Sequence, residues 1–249
     1  TQDIVSIKKN YPNVLSSLFF SVKSFYMMSR EISRFSPDIV HFHNIIPFLS
    51  PSVFLAAKLK SCKVFHTLHH SRWLCIEGSF YRDESFCNKC ITNRYSGIRE
   101  NCVKNSKLAS IVMTLNNILW VKSGLMHKLV DRYIAVSIFV KSMHVELGFP
   151  GNRISVMGHW KHYPYSKVLD FEGRDVDILF IGRVGVAKGI KIIIDLAKNS
   201  KYNIYVCGDG PDMETLKSFD YLENLHITGM LDHKNTMHLL GRAKLLIMP

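Results

Sequence analysis

The sequence predicts an α/β fold made of parallel sheets in two domains. Three observations point there. Beyond residue 177 short apolar runs alternate with amphipathic stretches, a strand–helix order that makes a parallel sheet covered on both faces. The first half repeats that order around DIVHFHN, KVFHTLHH, RYIAVS and ISVM. Two of the apolar runs in the second half end in glycine just before a helix, as FIGRVGVAKG and VCGDGPDMETL.

Taken in order, VLSSLFFSVKSFYMMSREISRF (residues 14–35) has apolar residues at helical spacing, with Phe19, Val22, Tyr26 and Ile32 sharing much of one face. Pro37 stops that helix. DIVHFHN reads as a buried strand, Ser52–Lys60 as a helix and KVFHTLHH as a second strand. The polar, cysteine-rich stretch at about 72–107 reads as an inserted loop. A helix follows from Leu108 to Leu129, then the strand RYIAVS, a helix opened by Ser137 and closed by Gly148, and the strand ISVM. These elements form a first domain, 1–160. GHWKHYPYSKVLDFEGRD has no periodicity, so 161–176 reads as a linker. In the second domain, 177–249, the strands are Ile178–Ile181, Asn203–Cys207, Leu225–Ile227 and Leu245–Met248. The helices between them are Gly189–Lys198, Asp212–Phe219 and Lys234–Ala243.

Composition narrows the function. The 249 residues are 47% hydrophobic, enough for real cores. No uncharged apolar run reaches the ~18 residues of a spanning helix. No apolar run follows a basic start, so no signal peptide is read and a cytoplasmic location is expected. Charge is uneven: residues 1–160 hold 20 Lys+Arg and 9 Asp+Glu (+11), and residues 161–249 hold 12 and 11 (+1). A basic first half suits an anionic partner such as acidic lipid headgroups at the inner membrane face, or is a solvated surface.

The glycine turns carry the sharpest chemistry. Gly182 ends one strand, and Gly208 and Gly210 bracket the turn after the next. Arg183 offers a forked donor to a phosphate and Lys188 a point charge at the same sheet edge. Strand ends backed by helix N-termini are where diphosphates bind in such sheets. Neither turn has the GxGxxG spacing of a dinucleotide site. His41 and His43 are expected on opposite faces of their strand, His43 toward its carboxyl end and His41 into packing. Cys75, Cys87, Cys90 and Cys102 all fall in the insertion, and CNKC has metal-ligand spacing. They read either as a structural zinc site or as reduced, unliganded thiols. Cys62 and Cys207 read as packed.

In the order PDIVHFHN, TLH, RYIAVS, FIGRVGVAKG, CGDGP and AKLLIMP, the chain resembles GT-B glycosyltransferases of family 4 from about Ser36 to the last residue. The resemblance implies two Rossmann-like domains, both incomplete here, and a retaining, hexosyl-type transferase. Its donor would be a nucleotide-diphosphate sugar and its acceptor lipid-linked or saccharide, in surface polysaccharide or glycolipid assembly. It assigns Arg183 and Lys188 to the donor diphosphate, Gly208 and Gly210 to the nucleotide turn, and His69 to the donor sugar, with no catalytic metal. The family's acidic pair would fall beyond Pro249 and its opening strand before Thr1, so a piece of a longer protein is expected. Two alternatives stand beside this reading. One is a catalytically incomplete remnant. The other is a nucleic-acid-binding module made of the basic half and the cysteines. No basic helix follows the cysteines and the aromatics do not interleave with the cations, so no nucleic-acid partner is expected.

Overall fold

The structure is a computed structural model that describes residues 19–46, 49–83, 85–159 and 170–249. The chain divides into two compact units, Thr1–Trp160 and Lys161–Pro249.

The first unit is a four-stranded parallel sheet of β1 (Ile39–His43), β2 (Lys63–Leu68), β5 (Arg132–Ala135) and β6 (Ile154–Val156), in the order β1-β2-β5-β6. Its strands are short and buried in alternation: Phe42, Val64, His66, Leu68, Tyr133 and Ile154 point into the core with Val53 and Phe54 of helix α2 (Ser52–Leu59). Asp131 locks the register of the two central strands. Its Oδ2 accepts from the Val64 N–H at 2.7 Å, its own N–H donates to Val64 O, and Lys58 Nζ lies 2.9 Å from both carboxylate oxygens. Burial alone would raise the Asp131 pKa, but the Val64 N–H and the Lys58 ammonium together take it below the usual carboxylate range.

Helix α1 (Val22–Phe35) departs from expectation in its facing. It buries Ser24 and Ile32 and leaves Val22 and Tyr26 exposed. The cause is polar. The Ser21 side chain caps the helix by accepting from Ser24 N, the Ser21 N–H donates to Ser50 Oγ at 2.8 Å, and Ser52 Oγ donates to Ser21 O at 3.0 Å. This serine clasp fixes the helix on the start of α2 and turns Ser24, not Val22, inward. Residues 14–18 of that expected helix lie outside the described residues.

The insertion is more ordered than a loop. It holds a two-stranded ribbon, β3 (Tyr81–Arg82) with β4 (Ser85–Phe86), and two one-turn helices, α3 (Lys89–Thr92) and α4 (Ser96–Arg99). Trp73, Leu74, Ile76 and Phe80 tie it to the main core. The single helix expected over Leu108–Leu129 is three pieces: α5 (Lys107–Asn117), a π-turn at Ile118–Lys122, and α6 (Leu125–Leu129). Gly124, in the left-handed region at φ 74°, makes the break. Helix α7 (Ile138–Glu146) has Ser137 as its cap, accepting from Val140 N, and ends before Gly148 at φ 92°.

The second unit is a parallel sheet in the order β10-β7-β8-β9. Its strands are β7 (Val176–Ile181), β8 (Ile204–Cys207), β9 (Leu225–Gly229) and β10 (Ala243–Ile247). Its helices are α8 (Ile190–Asn199), α9 (Met213–Lys217) and α10 (His233–Arg242). One face packs Ile178 and Phe180 with Ile190, Ile193, Ile194 and Ala197 of α8; the other packs Leu179 with Leu239 and Ala243. Ile193 is fully buried, and truncating such a side chain to Ala costs about 2–5 kcal/mol. Among the described residues no helix is long and apolar enough to cross a membrane.

Candidate functional site

In the second unit the carboxyl edge of the sheet is built from main chain. The turn after β7 and the turn after β8 cross in contact: Gly182 N donates to Cys207 O and Val184 N to Asp209 O, each at 3.0 Å. A Cβ on Gly208, at φ 145°, would lie 1.8 Å from Gly182 O, and one on Gly210 would lie 2.0 Å from Val184 O. No side chain fits at either position. Gly182 itself has ordinary space around its Cβ position, so the glycine requirement sits in the second turn rather than the first. Asp212 ties the two turns again, its Oδ2 accepting from Val186 N at 2.8 Å.

This crossing floors a cavity of about 510 Å³ lined by Gly182, Arg183, Gly208, Asp209, Gly210 and, from the start of α10, Thr236, with Met230 and Leu231 on its wall. Three of the five expected residues of this edge are therefore glycines of the floor, and Arg183 is the cation that lines it. Lys188 is exposed at the end of the short turn Val186–Lys188 and does not line the cavity. Four amides of these turns are already engaged: Gly182 N and Val184 N as above, Gly208 N with Gly229 O at 2.9 Å, and Gly210 N with Asp209 Oδ1 at 2.7 Å. Arg183 has no ion pair or side-chain hydrogen bond with any other described residue. Its guanidinium is therefore available for a charge-assisted hydrogen bond at this edge.

The first unit places histidines at the same kind of edge. His43 ends β1, His69 follows β2 and His159 follows β6. His43 Nδ1 and His69 Nε2 are 2.6 Å apart, sharing one proton, and the His69 ring stacks on His159 with centroids 5.0 Å apart and planes within 6°. His41 does not face away from His43. Their rings lie 4.2 Å apart, because residues two apart on a strand share a face. Nor is His41 packed; it is exposed and pairs with Thr67 Oγ1 at 2.7 Å.

Crowding sets the charge of this edge. Burial, then His43 and His159, take the His69 pKa below its ordinary value, and burial and His43 do the same to His41. Beneath them His66 is fully buried between the Phe42 carbonyl, which accepts from Nδ1, and the Trp73 indole N–H, which donates to Nε2 at 3.2 Å. Burial pushes its pKa down to about 3, so it is a neutral core residue.

In the insertion, Cys75 and Cys90 are buried and hydrogen-bonded to each other. Cys102 accepts from Arg82 Nη1 at 3.3 Å, and Cys87 is half-buried nearby. The Cys90 contact and three backbone N–H donors hold the Cys75 thiol pKa well down, while the same contact and burial push Cys90 up. Among the described residues no three His, Cys, Asp or Glu side chains close around a common point. Cys62 and Cys207 are buried, Cys62 donating to Pro37 O.

Sequence reasoning missed His159, Asp212 and Thr236. Asp212 lay in view two residues after Gly210. His159 carried no signal, since it is brought in only by the pairing of β6 with β5.

Comparison with known proteins follows this geometry. No curated protein matches the chain. Among solved structures it is similar to the lipopolysaccharide outer core galactosyltransferase WaaB in its apo form (TM-score 0.53, 17% identity), covering 91% of this chain and 54% of that one. It is similar to Anabaena Alr3699/HepE in complex with UDP and glucose (TM-score 0.51, 11% identity, 90% and 55%). It is also similar to a mutant of S. aureus TarM in complex with Fondaparinux, alpha-GlcNAc-glycerol and UDP (TM-score 0.50, 11% identity, 90% and 40%). The chain spans about half the length of the first two and less of the third. At these identities the likeness establishes the fold, which is GT-B. The profile of Glycosyltransferase Family 4 matches residues 2–159, more than half of the sequence, and the chain belongs to that family.

Proposed function

We propose that the protein transfers a sugar from a nucleotide-diphosphate donor to a saccharide or lipid-linked acceptor, with retention at the anomeric carbon and without a catalytic metal. The observation that carries this reading is the second-unit cavity, open at a sheet edge, floored by crossed glycine turns and lined by an Arg183 guanidinium with no partner among the described residues. As the glycosidic bond breaks, negative charge grows on the leaving diphosphate. A fixed guanidinium aimed there stabilises the transition state more than the ground state. Lys188, exposed a turn away, supplies a second cation to the same diphosphate. We assign Gly182, Gly208 and Gly210 to the floor under the nucleotide, His69 to a polar contact with the donor sugar, and His43 to holding the His69 ring through their shared proton.

UDP is the first candidate for the donor nucleotide, because two of the similar structures carry it. A role in surface polysaccharide or glycolipid assembly is supported by the lipopolysaccharide enzyme among them and by the +11 charge of residues 1–160, which suits the anionic face of a membrane.

The test is titration calorimetry of the whole protein against UDP-, GDP- and ADP-sugars. Arg183→Ala is expected to weaken donor binding about tenfold or more, and Lys188→Ala to weaken it less. Unchanged affinity in both variants would refute the assignment of the diphosphate to this edge.

A further inference from the structure

We propose that His159 is a positioning residue, which stacks on His69 and fixes the plane of the ring assigned above to the donor sugar. Its part in the reaction rests on that assignment. The clamp itself rests on geometry within the first unit.

His69 needs holding. It lies just past the end of β2, half-buried, and only one of its ring nitrogens has a hydrogen-bond partner among the described residues. That partner is His43 Nδ1, 2.6 Å from His69 Nε2. One hydrogen bond fixes one atom of a ring and leaves the ring free to pivot there. The His43 ring is tilted 36° against His69, with centroids 4.9 Å apart, so it does not hold the plane. His159 does. Its ring lies parallel to within 6° at 5.0 Å, an offset stack. A point contact and a plane contact together leave one orientation, in which Nδ1 is the nitrogen left for a ligand.

His159 is itself placed by main chain. β6 pairs with β5 as far as Ala135 and Val156, and the Met157 N–H then donates to Ala135 O at 2.9 Å, which carries the strand's path one residue further. Two residues on, the imidazole reaches His69. The His159 side chain is exposed and makes no hydrogen bond or ion pair with any other described residue. Its stack on His69 is its only ring contact among them. The fold gains little from a ring so exposed. What the ring does secure is the orientation of its one partner.

The test compares the whole protein with His159→Ala and with His159→Phe, which keeps a flat ring. Nitrogen NMR of labelled histidines is recorded at about pH 8, where these rings are neutral. His69 is expected to show one tautomer in the parent and in His159→Phe, and to relax toward the tautomer mixture of free imidazole in His159→Ala. Titration calorimetry then reads the part played in the reaction. UDP is compared with UDP-glucose, UDP-galactose or UDP-N-acetylglucosamine, whichever the parent binds tightest. The affinity added by the sugar is expected to fall about three- to tenfold in His159→Ala and to return in His159→Phe, with UDP affinity itself unchanged. A His69 spectrum untouched by His159→Ala would overturn the proposal, as would a His159→Phe that behaves like His159→Ala. A changed spectrum with the same sugar contribution in all three proteins would overturn it too, since His69 would then be held for something other than the donor sugar. A protein that binds neither UDP nor the UDP-sugars counts against the donor cavity instead, and the ring spectra still decide the clamp.

Discussion

The carboxyl edges of the two sheets are made of different material. In the second unit the edge is main chain crossing main chain, with glycines where no Cβ fits and amides paired off inside the turns. In the first unit it is side chain against side chain, with His41, His43, His69 and His159 linked in a chain of contacts. An edge of the first kind is held rigid by its main-chain contacts. An edge of the second kind tolerates substitution but changes charge with pH. One parallel-sheet plan therefore yields both a fixed floor and an adjustable one.

The largest expected effect attacks the rigid edge. Gly208→Ala forces a Cβ onto the Gly182 carbonyl at a backbone angle only glycine favours, and is expected to cost about 3 kcal/mol or more of second-unit stability, read by urea unfolding. Next is the strand lock of the first unit. Asp131→Ala removes the acceptor of Val64 N–H and the Lys58 partner, and should cost about 2 kcal/mol, discounted because the pair is nearly a third exposed. Its folded pKa lies below the unfolded value, so the contribution is present above about pH 4 and lost as pH falls further; the difference between parent and variant should shrink in acid.

His66 gives the adjustable unit a broader slope. Its pKa is about 3 folded against 6.5 unfolded, so the unfolded chain binds the extra proton between those values. Stability should fall by about 1.4 kcal/mol per pH unit as pH drops through that window, with His144, held to about 4 by burial, adding to the slope. His66→Gln is expected to flatten its share of the slope, checked by denaturant unfolding at pH 7, 6 and 5. The smallest effect is local. His43→Ala removes a neighbour that lowers the His69 pKa, so the His69 titration followed by NMR should move up, with stability changed by less than about 0.5 kcal/mol.

Much of this was legible in the residues. ILFI and IYVC are apolar throughout, as strands covered on both faces must be, and the glycines after them fall in the turns that floor the cavity. What the sequence hid was set by contacts between distant segments. The facing of α1 depends on Ser50 and Ser52, some thirty residues away from Ser21. The insertion's ribbon is two residues a side, too short to show a period. His159 reaches the histidine edge only through strand pairing, and the engagement of the floor amides follows from how two turns cross, which neither turn announces alone. His41 and His43 were readable and were misassigned, since a spacing of two is the same face of any strand.

The engaged amides of the second-unit floor bear on how such a pocket can change over generations. Its shape is written in glycines that almost no replacement can satisfy, whereas the cation lining it is the tip of one long, exposed side chain. Drift at the rim can therefore retune ligand preference one codon at a time, while the basin underneath stays put.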